Sequence, residues 1–383
     1  MSSFFTELDT LLQAPSPEQA LARLCGELQS QKQYQELFHA LLLKARFELG
    51  LPTVNVGPNE QLPEAQQEKY EQAIRTAGRQ VGQLCLEAGE IGQAWALYRL
   101  LNEPAPVAAA LEAEQFDPEK LAEVLQIALN EGVHPKKGFD LLVRHHGLCS
   151  AITTLSGQFP FSNEVRSHCI RKLVRTMYEE LRERLRADIV SREGTAPAAD
   201  SSIPMLLQGR EELTGEDAYH VDVSHLAAVV QFAIELPVGE ETRLAAEMCE
   251  YGKRLSPRLR YPGAPPFEDS YADLQHYFHA LLGQDEDTAL EHFRAKAQGA
   301  EEGLTAPAEV YVHLLATLDR YDEALQVYTR YLAQTDPRGL ACPSPQELCH
   351  KLGDFRPLAE LSQRRGDWVT YTAALIHQRK MRG

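Results

Sequence analysis

The sequence predicts an all-α protein, an α-solenoid of stacked helical hairpins with an irregular central region. Three observations predict it. Apolar residues recur at three- and four-residue spacings through most of the 383 residues, the period of an amphipathic helix. Ala, Leu, Glu, Gln and Arg, all good helix formers, are abundant, while alternating β-branched runs are almost absent. The last third repeats itself: Ala289 to Ala324 and Phe293 to Tyr328 are both steps of 35 residues, and one more step from Ala324 reaches Ala359.

Ser16-Pro17-Glu18 opens a helix, with Ser as N-cap and Pro in the first turn. Gly50 and Pro52 close the next helix, so 18–28 and 33–49 form a hairpin able to cap the array. Val54-Asn55-Val56 lies among Pro52, Gly57, Pro58 and Pro63 and reads as loop. Asp117-Pro118-Glu119 starts another helix and Gly132 with Pro135 stops it. Ser162 begins a long helix running to about Val190. The composition of 191–218, with Gly194, Pro197 and a Ser/Ala/Asp run, reads as linker or long loop. These signals give an N-terminal helical-hairpin region (1–190), a linker (191–218) and a C-terminal helical repeat region (219–383). The last contains a Pro-rich loop at 256–269, either a lid or a packed crossover.

Each Ala-x-x-x-aromatic pair would lie on the second helix of a hairpin. The small Ala admits the first helix and the aromatic fills the space one turn on. The turn Arg320-Tyr321-Asp322-Glu323-Ala324 has an aromatic–acidic–acidic–Ala pattern. An earlier segment sets Gly82, Gly89, Ala94, Tyr98 and Pro106 in the matching order. Over about Ala77–Pro106 and Gln275–Arg364 the chain resembles the tetratricopeptide repeat, a two-helix unit with a period near 34. The resemblance implies stacked hairpins and a concave surface that takes a peptide or partner protein. It implies no chemistry.

Composition narrows the classes. Hydrophobic residues at 44% supply ample core, and no apolar run approaches the ~18–20 residues of a membrane span. A net charge of −17 argues against a chain-wide nucleic-acid footprint. The N-terminus lacks a basic region followed by an apolar one, so no secretory signal is read. The seven cysteines are scattered, odd in number and without C-x-x-C, the usage of a reducing compartment. The expected location is cytoplasmic, with neither nucleic acid nor membrane as a partner.

Eight of the 13 histidines fall between His134 and His279, where the repeat pattern lapses. In Tyr219-His220-Val221-Asp222-Val223-Ser224-His225, a turn could bring His220, Asp222 and His225 onto one divalent transition metal (Zn, Fe or Mn). The plainer reading makes Asp222 a helix N-cap between two ordinary histidines. His276 and His279, three apart on one helix face, could complete the ligand set, as could His145. Tyr219, Arg258 and Tyr261 are candidate contacts to substrate or partner. Cys149 follows His146 by three residues and reads as an ordinary buried cysteine. No P-loop, dinucleotide fingerprint, H-E-x-x-H or nucleophile elbow is present. Two functions stand: a scaffold binding a peptide or partner protein in its groove, or a metal-dependent lyase, isomerase or hydrolase acting on a small molecule.

Overall fold

The computed structural model describes residues 2–13, 17–54, 64–157, 161–215 and 217–382. Among them all regular structure is helical, and most consecutive helices pack against one another. No described helix is long and apolar enough to cross a membrane. The chain divides into two compact units, residues 1–147 and 148–383.

The first unit contains α1 (Ser2–Leu12), α2 (Glu18–Ser30), α3 (Tyr34–Glu48), α4 (Glu64–Glu87), α5 (Ile91–Leu101), α6 (Ala105–Glu112), α7 (Leu121–Leu125) and the first half of α8 (Pro135–Ser156). The hairpin expected at 18–49 is present as α2 and α3. Ser16 and most of the loop expected around Val54–Pro63 lie outside the described residues. Asp117 caps a 3₁₀ turn by accepting the Glu119 N–H at 2.9 Å, and α7 runs on into a π-helical turn, Gln126–Asn130. The core gathers Tyr34, Leu37, Val81, Cys85, Ile91, Tyr98, Leu111, Val124 and Leu141. Each large aliphatic side chain buried there contributes about 1.5–3 kcal/mol. The α4–α5 hairpin shows why its residues recur as they do. A Cβ on Gly82 would stand 2.7 Å from the Tyr98 ring, so only Gly lets the ring come this close to α4. Gly89 turns the chain at φ +74°, a left-handed conformation that costs Gly little.

The second unit holds α9 (Asn163–Glu193), α10 (Ile203–Leu207), α11 (Val223–Phe232), α12 (Glu240–Arg254), α13 (Ser270–Leu281), α14 (Glu286–Gln298), α15 (Ala306–Thr317), α16 (Tyr321–Tyr331), α17 (Pro345–Leu352), α18 (Arg356–Arg365) and α19 (Trp368–Arg382). Ser162 caps α9 by accepting the Val165 N–H at 3.3 Å. The repeating residues fall on second helices of hairpins: Ala289 and Phe293 on α14, Ala324 and Tyr328 on α16, Ala359 on α18, all buried.

Two expectations about organisation differ from what is observed. The division falls at Gly147, where φ +76° and ψ −178° interrupt the helical run of α8, and not near residue 190. The segment 191–218 is no free tether, because Ile203, Leu206, Leu207 and Leu213 are fully buried and α10 packs on α9 and α12. The Pro-rich loop is a packed crossover. Phe267 is buried edge-on to the rings of Tyr277 and Phe293, with centroids 6.2 and 5.9 Å away.

Candidate functional site

The hairpins of the second unit leave two depressions beside α16. One, of about 290 Å³, lies among Arg294 and Gln298 of α14, Tyr311 of α15, and Glu323, Gln326, Val327, Arg330 and Tyr331 of α16. The other, of about 420 Å³, lies between α16 and α18 and is lined by Asp322, Leu325, Gln326, Thr329, Arg330, Pro357, Glu360, Leu361 and Arg364. Gln326 and Arg330 line both. Arg294, Arg330 and Arg364 stand 36 and 34 residues apart, so successive hairpins each present one arginine along the second-helix side. Glu291 holds Arg294 at 2.8 Å, and Arg330 lies over the Tyr331 ring at 5.1 Å. Arg330 and Arg364 have no ion-pair partner among the described residues. Each depression therefore offers guanidinium and amide donors beside apolar walls, the mixture that fixes and orients side chains of a bound segment.

The histidines singled out by sequence go to several places. His145 is exposed on α8 in the first unit; the other five predicted ligands belong to the second. His220 turns inward. Its backbone N–H donates to the Tyr251 hydroxyl at 2.9 Å, its Nδ1 lies 3.1 Å from that hydroxyl, and its Nε2 lies 3.1 Å from Asp188 Oδ2. The pattern assigns the Nε2–H tautomer: Tyr251 donates to Nδ1 and the ring donates to Asp188. Burial holds the His220 pKa below its ordinary value despite the Asp188 charge, and pushes the Tyr251 phenol up to about 12. Asp188 is itself lowered, chiefly by Arg192. Asp222 caps α11, accepting the N–H groups of Ser224 and His225 at 2.9 and 3.1 Å, so the N-cap reading describes what this carboxylate does. Tyr219 and Arg258 are exposed. Tyr261 rims a cavity of about 210 Å³ between the Pro-rich loop, α11 and α13, with Ser224, Gln231, Phe267 and Leu274.

No family model, curated protein or solved structure matches the chain.

His276 and His279 sit half-buried on α13, both with pKa values lowered by burial. The His276 ring stacks on His292 of α14 at 4.8 Å, which opens onto a cluster the sequence did not reveal. Asp273 is only 2% exposed, yet its carboxylate is fully engaged. Oδ1 receives His292 Nε2 at 2.7 Å, and Oδ2 receives Lys296 Nζ and the Asp269 N–H, both at 2.9 Å. Lys296 also reaches Glu268. Burial opposes the Lys296 charge, but the hydrogen bonds to Glu268 and Asp273 prevail and hold its pKa above the ordinary value. Asp273 thus ties the start of α13 to α14. Nearby, Tyr277 and His313 join α13 to α15 through a 2.8 Å hydrogen bond. Among the described residues, no three His, Cys, Asp or Glu side chains stand close enough together to hold one metal ion.

Proposed function

We propose that the chain is a helical-repeat scaffold, tetratricopeptide-like in its hairpins, that binds an extended segment of a partner protein. The observation carrying this reading is the recurrence of Arg294, Arg330 and Arg364 along contiguous depressions at the repeat step. An extended chain rises about 3.3 Å per residue, so a segment of several residues can cross successive hairpins and meet one guanidinium on each. This reading has the binding surface on the second helices of the hairpins rather than on the first helices. The half-buried His276 and His279 on α13 belong to the latter surface.

The test is selection of extended peptides from a displayed library against the full chain, with Arg330→Glu as the counter-screen. Arg330 is exposed, so its reversal leaves the core intact. Selected peptides are expected to lose about tenfold or more in affinity for the variant. Peptides that bind wild type and Arg330→Glu equally go against this reading.

The alternative is a metal-dependent enzyme with His220, Asp222 and His225 as ligands, completed by His145, His276 or His279. It draws no support from the side-chain geometry, because His220 and Asp222 are engaged by Tyr251, Asp188 and the start of α11. Elemental analysis of untagged protein addresses it. A stoichiometric transition metal that disappears in His220→Ala would restore it.

A further inference from the structure

The smaller depression, between α14, α15 and α16, has donors in its wall that nothing described accepts from. Tyr311 of α15 lines it although the residue is only 3% exposed. Its hydroxyl oxygen accepts from Arg294 Nε at 3.4 Å, and its own hydrogen meets no acceptor among the described residues. A phenol this buried ordinarily finds one. Two further groups are in the same condition. The Arg330 guanidinium lies over the Tyr331 ring, and none of its N–H groups donates to a described residue. The Gln298 amide, in the last turn of α14, has no described partner either.

The acids at this spot do not supply what is missing. Glu323 lines the depression but is held by Arg320 at 2.6 Å, and Glu291 is held by Arg294 at 2.8 Å. Neither carboxylate compensates Arg330. A group that completes the site therefore brings acceptor oxygens and negative charge. The donors come from three helices: Arg294 on α14, Tyr311 on α15 and Arg330 on α16. A carboxylate offers two oxygens in one plane and a single charge. A phosphoryl group offers three strong acceptor oxygens in a tetrahedral array and about −1.5 to −2 charge, and so can meet donors arriving from three sides. The Tyr311 hydroxyl is suited to the role, because accepting from a guanidinium polarises its O–H and strengthens it as a donor.

We propose that this depression is a subsite for a phosphoryl group on the bound segment, a phosphoserine or phosphothreonine, with donors from Tyr311, Arg330 and Arg294. The proposal rests on the reading of the second-helix surface as the place where a segment binds, and adds what one residue of that segment carries.

The test passes three degenerate peptide libraries over the immobilised full chain, identical except for a fixed central phosphoserine, serine or aspartate. The phosphoserine library is expected to be retained about tenfold better than either of the others. Its best peptides should lose about tenfold or more in affinity on Tyr311→Phe and on Arg330→Glu. Tyr311→Phe deletes one hydroxyl and keeps the buried ring, and an unchanged thermal melt shows that the wall is otherwise intact. A purely structural hydroxyl would lower phosphoserine and serine peptides alike, whereas a phosphoryl donor lowers their ratio. Equal retention of the phosphoserine and aspartate libraries overturns the proposal, making the occupant any acidic residue. Phosphopeptides indifferent to Tyr311→Phe overturn it as well. Serine peptides that bind, weaken on Arg330→Glu and gain nothing from phosphate overturn it while leaving the segment-binding reading in place. Retention of none of the three libraries overturns both.

Discussion

The α4–α5 hairpin of the first unit and the α12–α14 segment of the second solve the same packing problem by different means. Both bring two helices together by seating an aromatic ring over a glycine, Tyr98 on Gly82 and Tyr271 on Gly252. Around Gly82 the buried neighbours are apolar, Val81, Cys85, Ala94 and Leu101, and the Arg79–Glu103 ion pair across the hairpin lies toward solvent. In the α12–α14 segment a buried carboxylate adds a charged tie one helix further on, where Asp273 of α13 holds His292 and Lys296 of α14. An apolar contact tolerates small adjustments of the helices. A buried carboxylate with three donors holds them to one register, because each donor left over would be stranded away from water. His220, His292 and His313 are likewise hydrogen-bonded into the framework of the second unit.

The largest effect is expected for Asp273→Ala, which strands His292 and the Asp269 N–H and leaves Lys296 with Glu268 alone. Discounted for the partial exposure of Lys296 and His292, the loss is about 2–4 kcal/mol by urea unfolding of the second unit. A loss no greater than that of Gly82→Ala would mean that the charged cluster adds nothing to the ring-on-glycine contact.

Gly252→Ala comes next. Its Cβ would stand 2.3 Å from the buried Tyr271 ring, against 2.7 Å for Gly82→Ala and Tyr98. Both substitutions overpack, at about 1–3 kcal/mol each, with Gly252→Ala the larger. Hydrogen exchange should locate the damage at 240–281 in one variant and at 64–101 in the other. Equal loss of protection in both segments from either variant would contradict the two-unit description.

Asp222→Ala removes an N-cap and should cost about 1 kcal/mol, lowering protection at the start of α11. The gentlest effect is with pH. Burial is the leading cause of the lowered pKa values of His220, His276, His279 and His313. The unfolded chain takes up these protons first, below the ordinary value of 6.5. Stability is therefore complete above that pH and falls as pH drops further. Unfolding midpoints of the second unit should decline from pH 7.5 to 5.5, with a shallower decline in His276→Gln/His279→Gln. A flat profile would mean that these rings are as hydrated folded as unfolded.

Local features were legible in the sequence because their physics is local. Ser162, Gly89 and Asp222 act on neighbouring backbone, and the Ala–aromatic step of 35 reports the buried pairs shared by α14 and α16. The division at Gly147 was not legible, since one left-handed glycine inside an otherwise helical pattern looks like any other. The supposed linker misled by its Gly and Pro content; the signal against it was Ile203, Leu206, Leu207 and Leu213, too apolar for a tether. Asp273, His292 and Lys296 come from two helices, and His220 and Asp188 from the bend before α11 and from α9, and spacing along the chain carries no trace of such pairs. The one sign was Asp273 itself, a charge between Tyr271 and Leu274 on a buried helix face.

The central claim, that partners bind across the second helices of the hairpins, is tested most directly by a photo-crosslinking residue at Gln326, which borders both depressions. With a library-selected peptide bound to the full chain, crosslinks should form at Gln326 and vanish when Arg330→Glu is added. A peptide that binds but crosslinks only from His276 or His279 on α13, and ignores Arg330→Glu, would contradict the claim.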